Sequence, residues 1–224
     1  MNEAFSLLLS GDPETWAIVG RSLRFSFFST ILSLAPGLAL GAWLARRDDR
    51  GRRFVAAIVG ALTAMPTVVI GLFVYGFLSR SGPLGFFGLL YTPAAVVVGQ
   101  ILLALPIVAS LVWSGLSRID PRFHETVKTL GASGLARLGA TAREGAPVLA
   151  GAVVAAFGRV TGEVGVAMML GGNIRFTTRT MTTAIALDAS KGEFDRAVSL
   201  GIALLVIALL VNFGVHALRP RNDR

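Results

Sequence analysis

Four stretches of this chain each run for more than twenty residues without a charged side chain: residues 25–45, 54–78, 93–116 and 197–218. A helix needs about 20 apolar residues to cross the hydrocarbon core of a bilayer. There the backbone must satisfy its own hydrogen bonds, which restricts spanning segments to helices or closed barrels. A fifth block, 147–172, is long enough to cross but carries Arg159 and Glu163. The pattern predicts an all-α membrane protein of about five transmembrane helices, forming one domain over 17–218. The spans fall near 17–45, 54–78, 93–116, 147–172 and 197–218. Charged residues make up only 15% of the chain, against about a quarter in soluble domains, so a soluble globular enzyme is excluded. With no cysteine and two histidines, His124 and His216, the chain offers no thiolate chemistry and no histidine metal cluster. No metal site is expected.

The formal net charge of +8 raises nucleic acid as a partner, but in a membrane protein basic loops report topology. Segment 46–53 (RRDDRGRR) holds five arginines in eight residues. Arg118, Arg122, Lys128, Arg137 and Arg143 follow the third span, and Arg219, Arg221 and Arg224 follow the fifth. These thirteen outweigh the seven on the opposite side: Arg21, Arg24, Arg80, Arg175, Arg179, Lys191 and Arg196. The rule therefore places the N-terminus outside and the C-terminus in the cytoplasm. The first residues lack the basic start and long apolar run of a signal peptide. Asp12-Pro13-Glu14 reads instead as a helix start, so the first helix opens near residue 13 and runs inward.

Gly37 and Gly41, and Gly158 and Gly162, are spaced for close helix packing. Pro36, Pro66 and Pro106 lie inside spans, where proline removes a backbone bond and bends a helix. Arg159 and Glu163 stand four apart, on one helix face. A charge at mid-span costs roughly 2.5–3.5 kcal/mol on insertion scales, so the two are expected to neutralise each other. Two readings fit them: a structural pair turned into the bundle, or an Arg159 that lends positive potential to an anion path with Glu163 holding it in place.

Segment 117–146 reads as a short helix opened by Asp120-Pro121, a turn at Gly131 and a second helix through Leu135, Leu138 and Ala142. It fits either an amphipathic element lying on the membrane or a docking knob for a cytoplasmic partner.

Within it, ETVKTLG (125–131) resembles the EAA loop of the permease subunits of type I ATP-binding-cassette importers. Glu125 and Gly131 match the family spacing, whereas Thr126 and Val127 replace its two alanines. The motif's later Ile, Leu and Pro positions fall on Thr141, Arg143 and Glu144. The resemblance implies a MetI-like fold and a coupling role for Glu125, Thr129, Gly131 and Ala132, which would sit in a groove of the ATPase. From Phe157, FGRVTGEVGVAMMLGGNIRFTTRTMTTAIALDASKGEF resembles the tungstate permeases, a sister group of the molybdate and sulfate permeases. This likeness extends more weakly over most of 17–218. It implies an oxyanion importer of the inner (cytoplasmic) membrane, for tungstate, with a molybdate or sulfate permease as the alternative. It also implies a homodimer, cytoplasmic ATPase subunits and an extracytoplasmic oxyanion-binding protein.

Gly171-Gly172-Asn173 tolerates left-handed turns and ends the fourth span. Beyond it Asn173, Arg175, Thr178 and Arg179 are candidates for an external gate or for docking of the binding protein. Arginines and hydroxyls also suit first contacts with a tetrahedral dianion. Asp188, Glu193 and Asp195 could serve docking equally well. No Gly-x-x-x-x-Gly-Lys-Ser/Thr loop is present, so ATP and its Mg²⁺ belong on a partner ATPase and no cofactor is expected on this chain. An ion-coupled carrier would show more intramembrane acids and inverted repeats. A membrane enzyme would need a nucleophile with a base, or metal ligands.

Overall fold

A computed structural model describes residues 8, 10–46, 49–131 and 133–218, which are helical with no strand among them. The first helix, α1 (Pro13–Ala45), starts where the sequence places it. Asp12 accepts from the Thr15 amide at 2.8 Å and Pro13 fills the first turn. At 33 residues it is roughly 50 Å long, more than the bilayer core needs. Ser22, Ser26, Ser29 and Ser33 form a buried stripe of small residues along it. Ser22 and Ser33 bond back to carbonyls of their own helix, at 3.0 and 2.7 Å, so they cost the lipid phase no unpaired hydroxyl.

The central helix is α4 (Pro93–Leu116), packed along α1. The close approach runs through glycine. A Cβ on Gly37 would lie 2.7 Å from Val108 Cγ1, and one on Gly41 would lie 2.6 Å from the Ala109 carbonyl. Around α4 the core divides into two groups. Ile70, Leu78, Ala95, Leu103, Val166 and Leu170 pack around its first half. Val108, Val112, Ala152, Ala156 and Val160 pack around its second.

Two stretches read as single spans are broken. Residues 54–78 divide into α2 (Arg50–Ala64) and α3 (Thr67–Leu78), bent by 103°. Pro66 has no amide to donate, and it holds Met65 in extended backbone at ψ 136°, as residues before proline prefer. Residues 147–172 divide into α7 (Ala146–Thr161) and α8 (Gly165–Gly171), bent by 59°. Among the described residues three helices are long and apolar enough to cross a membrane, or up to five spans if each bent pair counts as one. Between them lie α5 (Pro121–Thr129) and α6 (Gly134–Glu144), then α9 (Met181–Lys191) and α10 (Phe194–Leu218) close the chain. The outward faces of α1 and α10 carry exposed Phe27, Phe28, Ile31, Leu32, Leu205, Leu209 and Phe213, as a lipid-facing surface requires.

The two glycine pairs differ. Gly37 and Gly41 serve helix packing inside the chain, whereas a Cβ on Gly158 meets nothing within 4 Å. Gly41→Ala should therefore lower stability by about 1–3 kcal/mol through overpacking. Gly158→Ala should leave the fold of the single chain within about 0.5 kcal/mol of the wild type. Thermal denaturation of the two variants in detergent checks this contrast.

Candidate functional site

The first cluster lies where α7 gives way to α8. Arg159 on the last turn of α7 donates from Nη1 to Glu163 Oε2 at 2.8 Å, so the pair expected from the spacing forms. The partners are unequal, since the Glu163 side chain is 2% exposed and that of Arg159 is 38% exposed. Glu163 also answers the helix break. Its Oε1 accepts from the Val166 amide at 3.2 Å, at the start of α8, and its backbone carbonyl accepts from Thr182 Oγ1 at 2.6 Å. The end of α7 is answered by a residue that the sequence reading passed over. Gln100 of α4, fully enclosed, donates from Nε2 to the Val160 carbonyl at 3.2 Å and accepts from Ser29 Oγ at 2.7 Å. Its signal was available as an amide inside a span otherwise built of apolar and small residues.

The second cluster gathers on the side assigned to the exterior. Glu14, in the first turn of α1, is held by Arg175 in a two-pronged bond at 2.8 and 2.6 Å. Arg196 Nη2 approaches it at 2.8 Å and Arg179 Nη1 at 3.8 Å. The Arg175 hydrogen bonds, and then Arg196, pull the Glu14 carboxyl down to about 2, against the opposing effect of its own burial. Arg196 Nε lies 3.5 Å from Asp188, whose carboxyl is pushed upward by burial. Arg21 Nη1 donates to the Arg179 carbonyl at 3.0 Å, and Ser22 Oγ accepts from the Met181 amide at 2.7 Å. The segment after the fourth span is thus pinned to α1, and its helix α9 is partly buried in the bundle.

That placement divides the residues considered for gating or docking. Thr178 is fully buried, accepting from the Ile174 amide and donating to the Gly171 carbonyl. It braces the end of α8 and presents no hydroxyl to a partner. Asn173 adopts left-handed backbone at φ 51° and donates to the Thr183 carbonyl at 3.2 Å. Arg179 is largely enclosed, so Arg175, 57% exposed, is the member of the four that most faces outward. Glu14 and Arg196 entered no sequence-based site, because nothing local ties residue 14 to residues 175 and 196.

The third cluster is the helix pair α5 and α6. The Asp120 carboxylate accepts from the Arg122 amide at 2.9 Å, and Ser133 caps α6 through the Ala136 amide at 3.3 Å. Between the helices Gly131 turns at φ +72°, where a side chain would be strained. Glu125 and Thr129 are exposed, and Leu130 beside the turn is 78% exposed. Ala132, also assigned to coupling, lies outside the described residues.

Comparison with known proteins places this architecture. Residues 37–224 match the family described as the binding-protein-dependent transport system inner membrane component, and the chain belongs to that family. It is an ABC importer permease subunit, a multi-pass membrane protein and not itself an enzyme. Among curated proteins it is 38% identical to the tungstate uptake system permease protein TupB of Campylobacter jejuni, over 97% of this chain and 91% of that protein. It is 36% identical to the TupB protein of Peptoclostridium acidaminophilum, over 96% and 95%. Among solved structures it superposes on the inward-facing MetNI methionine ABC transporter with a TM-score of 0.72, at 20% identity, covering 92% of this chain and 96% of that one. A bacterial alginate ABC transporter in complex with its pentasaccharide-bound periplasmic protein gives 0.76, at 20% identity over 97% and 85%. These likenesses bear out the MetI-like fold expected from the sequence.

The Glu14 cluster gives a pH signature. Its carboxyl is lowered from 4.5 to about 2, so its contribution to stability is complete above about pH 4.5 and is lost as pH falls toward 2. Wild type should melt higher than Glu14→Gln at pH 7, and the gap should close over that acid range. Melting curves of both proteins across the same pH series test it.

Proposed function

We propose that this chain is the permease of a tungstate importer of the inner membrane. It works as a homodimer with two ATPase subunits and an extracytoplasmic oxyanion-binding protein. The observation that carries the reading is identity above one third, over nearly the whole chain, to two tungstate permeases from different organisms. The arginine count supports an external N-terminus and a cytoplasmic C-terminus. In that orientation α5 and α6 face the cytoplasm, with Glu125, Thr129, Leu130, Gly131 and Ala132 at the contact with the ATPase. ATP and Mg²⁺ are held by that partner, and this chain binds no cofactor.

ATP binding closes the ATPases and draws the two α5–α6 pairs with them, and the bundle turns from inward-open to outward-open. The binding protein then releases its oxyanion, and hydrolysis resets the cycle. A ligand shifts such an equilibrium only by its differential affinity for the two states. The permease therefore holds the anion weakly and leaves capture to the binding protein. Arg175 at the outer rim is suited to gripping that protein.

Elemental mass spectrometry of cells expressing the three components tests the reading, with tungstate and molybdate supplied separately and together. Tungsten should accumulate and resist excess molybdate. Gly131→Pro should abolish uptake, because proline is fixed near φ −65° and cannot make the turn at +72°. Equal uptake of both anions would widen the substrate. Uptake of neither by an assembled complex would overturn the oxyanion assignment.

A further inference from the structure

We infer that Arg159 is the residue that touches the transported oxyanion inside the membrane, and that Glu163 is its positioning residue. This rests on the importer reading above and assigns the contact within it. A pair serving only to neutralise two charges would be expected to bury both. Here the carboxylate is enclosed and the guanidinium is 38% exposed. Among the described residues a single N–H of Arg159, on Nη1, is engaged. Nε and Nη2 remain free, and these are the donors with which arginine grips an oxyanion through two parallel bonds.

The surroundings leave room for the anion. Ala155 and Gly158 of α7 and Gly162 at its C-terminal cap are exposed close to Arg159, and the two glycines open onto a groove whose far wall is Gly201, Leu204 and Ile207 of α10. A Cβ on Gly158 would meet nothing, and one on Gly162 would meet only the Gly158 carbonyl at 3.6 Å. A half-exposed charge within a spanning segment is costly against lipid, so the inference sets this face against an aqueous path. A two-fold assembly presents the guanidinium twice, matching the two charges of a tetrahedral dianion.

Glu163 suits the positioning role because it does not depend on Arg159 alone. Its second oxygen is held by the Val166 amide and its backbone by Thr182. An arriving anion can draw the guanidinium aside without stripping the carboxylate of every partner. The pair is neutral overall, so the anion is held loosely enough to leave again, as passage requires.

The test compares wild type, Arg159→Gln and the double variant Arg159→Gln/Glu163→Gln, each with its ATPases and binding protein in proteoliposomes. Uptake of tungstate, molybdate and sulfate is measured beside the melting temperature of each complex. Arg159→Gln leaves a buried carboxylate without its cation, so it should lower both uptake and melting temperature. The double variant should regain the melting temperature while uptake of the anion carried by wild type stays at least tenfold down. Recovery of uptake to within twofold of wild type would reduce the pair to packing and overturn the assignment. So would uptake and melting temperature remaining low together. Failure of the wild-type complex to take up any of the three would fall instead on the importer reading, and the assignment would go with it.

Discussion

A membrane helix that stops partway leaves carbonyls behind and amides ahead with no partner in the chain, and lipid offers none. Each such group left unpaired costs several kcal/mol. In this protein the debt falls at residues 162–164, and Glu163 and Gln100 discharge much of it. Glu163 supplies an acceptor to the first turn of α8, a counter-ion to Arg159 and a backbone acceptor to Thr182. Gln100 supplies a donor to the end of α7 and is itself bonded to Ser29. Through these two residues five helices, α1, α4, α7, α8 and α9, are fixed around a single point of discontinuity.

The other break is packed against this one. A side chain at Gly165 would strike Val68 Cγ2 at 2.8 Å and Thr67 Oγ1 at 2.9 Å, and one at Gly71 would crowd Met169 at 3.2 Å. The first turn of α3 and the first turn of α8 therefore meet where both spans change direction. On one side of that level α3 and α8 pack around the first half of α4. On the other side α7 packs along its second half, while α2 joins Leu44 and Ala109. The bundle has two storeys joined at paired breaks, and α1 and α4 run through both.

Much of this was legible in the sequence, and the parts that were not share a cause. The Arg159–Glu163 pair, the Asp12 cap, the turn at Gly131 and the close approach at Gly37 and Gly41 are local patterns, set by helical spacing or one backbone angle. The length of each apolar block was equally plain. Pro66 marked one place where a block bends, but the size of that bend and the break after α7 were not legible. Residues 54–78 are uncharged throughout, and hydropathy records composition without orientation, so a bend of 103° at Pro66 leaves it unchanged. Glu14 joins Arg175 across 161 positions, and no periodicity reaches that far. Gln100 was visible but ambiguous, because an amide within a span reads alike whether it lines a path or mends a neighbouring helix.

The exterior arginine cluster bears on the orientation argument itself. Arg175, Arg179 and Arg196 belong to the minority of basic residues that stand against the proposed topology. All three converge on Glu14, and Arg196 also meets Asp188. They anchor the segment that carries α9 to the first turn of α1. The basic residues of 46–53 have only Asp48 and Asp49 near them in sequence, so five arginines there keep a net positive balance. Counting Asp and Glu as well leaves the difference between the two sides unchanged, because each side carries six acidic residues. These three arginines have a tertiary role where they stand: each serves as a fork or counter-ion that holds a carboxylate.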